Sequence, residues 1–490
     1  MTTQGEELTK IIGHENVVDD LETLEAYAKD MSFVPSIRPK YVARPNNAEE
    51  VQAIVKWANR TATPLVPVSS GGPHFRGDTV PSIGGAVIVD LNRMKRIIWI
   101  SGRQGTAIVE PGVTFGELQK EVAKEGLRLN IPLLPRSSKS VLASLLEREP
   151  VTMPKFQWED GDPLGATEVV WANGDLFRTG AGAVFGGTLE DAIASKSAIN
   201  WPKGPCATDY AKLIQGAQGT MGIVTWASVR CERAPSLQEP FLIGSSNLEH
   251  LSEFVYWLLR RRLAEECLVL NNANIAAILA KKWPDEYISL RDTLPPWVFL
   301  FSLNGYEYFP EERIAYQSED MLDIAQRVSV EPVKSIDGLT AHELLKLLSR
   351  PSDEPYWKLR YKGAYQDIFF LTTLGKVSEL VDVMYQAAGR HGYPVNDIGV
   401  YLQPTVQGCS WHCEFNLFFD PNKSSEVSRV KQLFMDASDT LMARGAYFSR
   451  PYGVWADMVY RRDAETTTLL RKVKSIFDPS NIMNPGKLCF

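Results

Sequence analysis

Hydrophobic positions recur along this chain with two different periods, and where each period holds decides which element is expected. NAEEVQAIVKWAN, residues 47–59, sets apolar side chains at helical spacing. It follows an Asn46-Asn47 pair suited to cap a helix and carries two glutamates in its first turn, so a helix is predicted. TPLVPVSSGGPHFRGD comes next as a short Pro-bounded apolar run, a Gly-rich turn and a polar exit. GAVIVDL, RIIWIS and TAIVEPG are short β-branched runs separated by turn residues, and TFGELQKEVAKEG is amphipathic with a glycine stop. ATEVVWANGDLFRTG places two strands around Asn173-Gly174, a strong hairpin signal, and GIVTWASVRCE supplies a further strand.

After Pro235 the pattern changes. FVYWLLRRRLAEE, NIAAILAKKW, ERIAYQSEDMLDIAQRV and HELLKLL read as helices, interleaved with strands such as WVFLFSLNG and YQDIFFLTT. Strands and helices mix without strict alternation, which predicts an α+β class. A first domain is expected over 1–235, a second α+β domain over 236–440, and a C-terminal segment over 441–490. That segment holds a helix, ETTTLLRKVKSIF, and then DPSNIMNPGK, whose two prolines forbid regular structure, so tertiary contacts must hold it.

Composition adds exclusions. With 490 residues, 44% hydrophobic and 23% charged, the chain has material for a large core and two or three domains. Lys plus Arg number 52 against 59 Asp plus Glu, a net charge of -7 with no long block of one sign, which argues against a nucleic-acid or anionic-membrane surface. No apolar run approaches a membrane span, and the polar start MTTQGEELTK lacks a signal-peptide layout, so the cytoplasm is the expected compartment. Six scattered cysteines fit reduced thiols, and no CxxC pair offers an iron-sulfur cluster. Electrons leaving singly would therefore need a separate acceptor protein.

The chemistry begins at VSSGGPHFRGD, Val68 to Asp78. Adjacent glycines after a strand let backbone N–H groups turn inward and approach a pyrophosphate closely, an anion nest that needs no lysine. No GxGxxG opens a helix, so the Rossmann fingerprint is absent. PNNAEEVQAIVKWAN, the VPVSSGGPHFRG loop, AIVEPGVTFGELQ, SVLASLLER with ATEVVWANGDLFRTGAGAV, and LIQGAQGTMGIVTWASV follow one another in the order seen in a known family, and VKSIFDPSNIMNPGK completes it at the C-terminus. Residues 47–235 resemble the FAD-binding domain of the vanillyl-alcohol oxidase and p-cresol methylhydroxylase family.

The resemblance implies FAD as cofactor and a two-domain α+β fold of the p-cresol methylhydroxylase (PCMH) type, with the second domain capping the flavin as a substrate domain. It implies Ser69, Ser70, Gly71, Gly72 and His74 at the pyrophosphate, and Gly112 and Ser140 as further FAD contacts. Gly219, Gly222 and Val224 would face adenine and ribose, and Asn484 and Lys487 the flavin end. Several members attach the flavin to a histidine in this loop. Here SGGPH stands where the berberine-bridge-type relatives read SGGH, so His74 is either a covalent link or a hydrogen-bonding or structural residue.

On the substrate side, YLQPTVQGCSWHCEFNLFFDP alternates with period 2, putting His412, Glu414 and Asn416 on one strand face, expected wet. Trp411, Cys413 and Phe415 fall on the other, and Cys409 and Cys413 are expected to point into the core. His412 with Glu414 reads as a base and its orienting partner, as two metal ligands, or as a structural histidine; no metal is expected. GAYFSRPYGVWAD stands where phenol-oxidising members hold a phenolate with Tyr and Arg, which implies Tyr447 or Tyr452, together with Arg450, or simple aromatic packing. Asp160 and Asp162 are acids in the region where those members place one near the flavin, and Arg360 with Tyr361 form another cationic-aromatic pair.

These readings predict an enzyme passing a hydride from a para-substituted phenol or aryl alcohol to FAD. The alternatives are a 2-hydroxyacid dehydrogenase of the glycolate or D-lactate type and a flavin-binding subunit of an electron-transfer complex. The expected partners are a small, aromatic substrate and a second copy of the chain, with no nucleic acid or membrane.

Overall fold

The computed structural model describes residues 3–154, 163–180, 182, 188–194 and 210–490. Asp160, Asp162 and Cys206 lie outside them. Three sheets carry the architecture. The first has four strands in the order Val17–Val18, Tyr41–Ala43, Val87–Asp90 and Leu65–Val68, the last three parallel. Helix Ala48–Thr61 makes the crossover. Asn47 caps it by accepting from Glu50 N–H at 2.8 Å, and Val51, Ile54, Val55, Trp57 and Ala58 form its buried stripe.

The second sheet runs Ile97–Ser101, Thr106–Val109, Gly222–Arg233, Leu164–Trp171, Leu176–Thr179, with Leu127–Leu129 paired to the long central strand. The hairpin expected at Asn173-Gly174 joins its last two strands, and Gly174 takes the positive φ of 89° that the turn requires. The third sheet has six strands, all antiparallel: Leu237–Ser245, Trp297–Gly305, Cys267–Asn271, Ile398–Thr405, Ser410–Phe419, Ala364–Thr372. Helices Leu248–Arg260, Pro310–Val328, Val377–Arg390 and Ser424–Ala443 pack on one of its faces through the largest apolar cluster of the molecule.

Register decides what the other face presents. His412 lies opposite Leu371 and Gln403, Glu414 opposite Phe369 and Tyr401, and Asn416 opposite Asp367 and Gly399. Directly paired residues share a face, so one surface carries Tyr365, Asp367, Phe369, Tyr401, Gln403, His412, Glu414 and Asn416. Trp411, Cys413 and Phe415 point into the apolar cluster, as the alternation implies. The face expected to be wet is buried instead, with His412 at 2% and Asn416 at 0% exposure, because this part of the second half packs against the Gly-rich loop of the first, Phe75 lying 5.0 Å from Tyr365 and 5.8 Å from Tyr356. Cys409 departs as well. It is exposed, because it ends the turn before the strand begins at Ser410 and takes no part in the alternation.

The C-terminal strip returns to the first sheet. Leu65 N–H donates to Ile482 and Asn484 N–H to the Leu65 carbonyl, both at 2.8 Å, so the strip lies along the strand that leads into the Gly-rich loop. Lys474 anchors it by donating to the Thr220 carbonyl at 2.6 Å and the Met483 carbonyl at 3.0 Å while pairing with Asp478. Among the described residues no helix is long and apolar enough to cross a membrane.

Candidate active site

A cleft enclosing about 1540 Å³, its open mouth included, runs from the Gly-rich loop to the polar face of the third sheet. Ser69, Ser70 and His74 line its loop end, with Gly219 and Val224 opposite. The backbone N–H groups of Ser70, His74 and Phe75 donate to no acceptor among the described residues, although all three residues border the cleft. Gly71 anchors the turn by donating to the Ser138 carbonyl at 3.2 Å and accepting from Arg136 at 2.6 Å, and a Cβ built on Gly72 meets nothing within 4 Å. An open loop with unspent donors is what a pyrophosphate needs. Gly219, at φ +70°, would drive a Cβ to 2.5 Å from Pro67 Cγ, so only glycine brings these two walls together. The residues present therefore fit FAD.

Five residues expected at the cofactor stand behind the wall of this cleft. A Cβ on Gly112 would lie 2.7–2.9 Å from the carbonyls of Met94, Leu91 and Asn92, and one on Gly222 would lie 2.7 Å from the Val170 carbonyl, so both glycines serve close backbone packing. Ser140 is fully buried, its hydroxyl donating to the Pro111 carbonyl at 2.6 Å and its N–H to the Ser70 hydroxyl at 3.0 Å. Asn484 Nδ2 donates to the carbonyls of Asp78 at 3.0 Å and Gln218 at 2.8 Å, and Lys487 Nζ to Gly77 at 2.7 Å. These residues hold the loop in shape.

At the far end the wall is aromatic and charged. Tyr356, Tyr365, Tyr401 and Tyr452 line it, and burial holds each phenol above its ordinary range, so all four are neutral donors near pH 7. Lys358 Nζ lies 2.5 Å from Glu414 Oε1, with side-chain exposures of 7% and 9%. Burial opposes ionising either group, but their mutual attraction prevails, raising Lys358 and holding Glu414 well below the usual carboxylate range. His412 is not on the wall. It packs beside the rings of Phe369 and Tyr401, its Nε2 3.5 Å from Glu414 Oε2 and, among the described residues, without a hydrogen-bond partner. Burial, helped by Arg450, pushes its pKa down to about 4, despite Glu414. The neutral imidazole props Glu414 without reaching the cleft, which corrects its reading as the catalytic base. Lys358 already supplies the cation that Glu414 needs, and among the described residues no three His, Cys, Asp or Glu side chains are grouped to hold a metal.

Tyr447 is displaced too. It is 62% exposed, because its N–H and C=O are both bonded to Leu371 and the bridge turns its side chain outward. Tyr452, 5% exposed, occupies the cleft in its place. Arg450 is buried on the wall 4.2 Å over the Phe369 ring, and among the described residues it is in no ion pair and its Nη1 lacks a hydrogen-bond partner. Burial and neighbouring Arg76 lower its pKa, so an anion there would be welcomed.

Sequence reasoning passed over the charges nearest the loop. Arg76 pairs with Glu147 at 2.7 Å and Glu149 at 3.0 Å, and Lys139 holds the same two carboxylates at 3.0 and 2.7 Å. Lys358 was passed over in favour of Arg360 and Tyr361. Arg360 only caps the carbonyls of Pro355 and Asp353, and Tyr361 stacks on Tyr287 at 3.9 Å. The missed signal was pairing register, which sets Phe369 and Tyr401 beside Glu414.

A loop suited to a pyrophosphate, leading to a chamber lined by tyrosines and paired charges, is the arrangement expected of a flavin-dependent oxidoreductase. The family model described as "FAD binding domain" matches residues 39–148, and "FAD linked oxidases, C-terminal domain" matches 411–488. The chain is 31% identical to the 4-cresol dehydrogenase [hydroxylating] flavoprotein subunit of Pseudomonas putida, over 99% of this chain and 96% of that one. It is 24% identical to a D-2-hydroxyglutarate dehydrogenase of Stutzerimonas stutzeri (strain A1501), over 99% and 98%. The crystal structure of p-cresol methylhydroxylase with substrate bound superposes with a TM-score of 0.83 at 19% identity, over 99% and 96% of the two chains. This chain belongs to the family of FAD-linked oxidoreductases with a PCMH-type FAD-binding domain.

Proposed function

We propose that the protein oxidises a para-substituted phenol or aryl alcohol, passing a hydride to FAD. The observation that carries this is Arg450: a buried guanidinium with an unspent donor, set on Phe369 and beside Tyr452 in a chamber of neutral phenols. Bound FAD supplies the two-electron acceptor. Arg450 and Tyr452 receive the phenolic oxygen and stabilise the charge it gains, while Tyr356, Tyr365 and Tyr401 pack the ring and exclude water. Ser69, Ser70, His74, Gly219 and Val224 hold the cofactor, and Glu414 with Lys358 keeps the wall rigid and locally neutral.

A second reading uses the same guanidinium. Arg450 suits the carboxylate of a 2-hydroxyacid, and one full-length relative is named a D-2-hydroxyglutarate dehydrogenase. Anaerobic addition of 4-cresol, vanillyl alcohol and D-lactate to FAD-loaded protein separates the two. Bleaching of the flavin band by the phenols supports the first, and bleaching by the hydroxyacid alone replaces it with the second. A separate electron-acceptor protein is part of the proposal, supported by a relative named as a flavoprotein subunit. A homodimer in the cytoplasm completes it.

A further inference from the structure

Four carboxylates line the cleft: Asp78, Glu147, Glu149 and Glu414. Three are taken. Glu147 and Glu149 are shared by Arg76 and Lys139, and Glu414 is held by Lys358. Asp78 differs, because among the described residues no cation lies within ion-pair distance of its carboxylate and no donor bonds it. Its backbone, by contrast, is clamped. The C-terminal strip grips it through Asn484 on the Asp78 carbonyl and Lys487 on the Gly77 carbonyl, and Asp30 accepts from Gly77 N–H at 2.5 Å. A fixed backbone carrying a free carboxylate into a cavity is the arrangement of a general base.

We infer that Asp78 is the catalytic base, accepting the substrate's phenolic or alcoholic proton as the hydride departs; this rests on the oxidation of a phenol or aryl alcohol proposed above. The substrate O–H bond breaks and a carboxyl O–H bond forms on Asp78. The hydride, with both electrons of the broken C–H bond, goes to oxidised FAD. Arg450, which lines the same cleft, stabilises the negative charge the oxygen carries while proton loss runs ahead of hydride loss; having lost both, the product is neutral. Charges facing Asp78 come from every packed element: Arg76 on its own loop, Asp30 before it, Lys139 and Glu147 across the cleft, and Tyr452 and Lys487 from the C-terminal segment. Burial, then repulsion from Glu147, raises the carboxyl to about 6 against the pull of Arg76, so it is ionised yet basic at neutral pH.

The test uses the FAD-loaded full chain as wild type, Asp78→Asn and Asp78→Glu. Difference infrared spectra are taken on binding 4-nitrophenol, which has no oxidisable carbon. In the wild type, between about pH 6 and 7, where Asp78 is ionised and free 4-nitrophenol still largely carries its proton, a protonated-carboxyl C=O band should appear together with the phenolate signature, and Asp78→Asn should lose that band while still binding. Flavin reduction by 4-cresol should show an acidic limb near pH 6 in the wild type. Asp78→Asn should lose this limb and fall about 10²- to 10⁴-fold in rate, and Asp78→Glu should regain part of both. Absence of the carboxyl band, or a limb that persists in Asp78→Asn, overturns the inference. So does a variant whose only defect is weaker FAD binding. A wild type that binds and oxidises no phenol removes the parent reading, a result distinguishable from all of these.

Discussion

Replacing Lys358 by methionine keeps its length and removes its charge. In the native protein the ammonium sits 2.5 Å from a carboxylate that is itself 9% exposed, with a neutral His412 behind it. The change therefore leaves Glu414 buried without a counter-charge, which costs about 3–5 kcal/mol. Adding Glu414→Gln removes the orphaned charge, so the double variant should recover about 2–3 kcal/mol of that loss. The pH dependence has a definite sign. Native Glu414 is depressed, so its contribution is present above its unfolded pKa and lost only well below it, while Lys358, raised, contributes until strongly alkaline pH. Native stability from the pair is thus flat around neutrality. In Lys358→Met the carboxyl pKa rises, and the deficit should shrink as the pH falls toward about 5. Guanidinium unfolding followed by tryptophan fluorescence, on wild type, both single variants and the double, measures the cycle. Additivity to within about 0.5 kcal/mol would refute the coupling and the reading of this wall as one charged unit.

Three other outcomes are expected. Tyr452→Phe should slow flavin reduction by 4-cresol while Tyr447→Phe leaves it unchanged, in rapid-mixing traces, because only Tyr452 faces the cleft. His412 is neutral when folded, down at about 4, and takes a proton when unfolded below about 6.5, so wild-type stability drops between these values as the pH falls; His412→Phe should flatten that slope in unfolding midpoints taken at stepped pH. Gly219→Ala should weaken FAD binding at least tenfold in fluorescence titration, since its Cβ must displace Pro67 at 2.5 Å and a positive φ disfavours alanine.

Much of this was legible in the sequence, for local reasons. The helix Ala48–Thr61, the hairpin at Gly174 and the alternation through Ser410–Phe419 are each fixed by periodicity, caps or turn residues within a few positions. The nest loop was legible because its glycines are adjacent. What escaped was set by long-range pairing. Tyr447 and Tyr452 are equally plausible by spacing, and only the bridge to Leu371 turns one outward. Lys358 meets Glu414 across 56 residues, and Arg76 meets Glu147 across 71, so neither pairing leaves a trace in local pattern. His412 has the right strand face but the wrong depth, because alternation gives direction and says nothing of the Phe369 and Tyr401 rings packed against it.

The most direct test of the central claim follows the flavin absorbance of FAD-loaded wild type and Arg450→Met side by side while 4-cresol is added without oxygen. The account predicts full bleaching of the wild type, and bleaching slowed about 10²- to 10³-fold in the variant with FAD still bound. Equal bleaching of the two would contradict the role given to Arg450, and a wild-type flavin that stays yellow with every phenol would contradict the function itself.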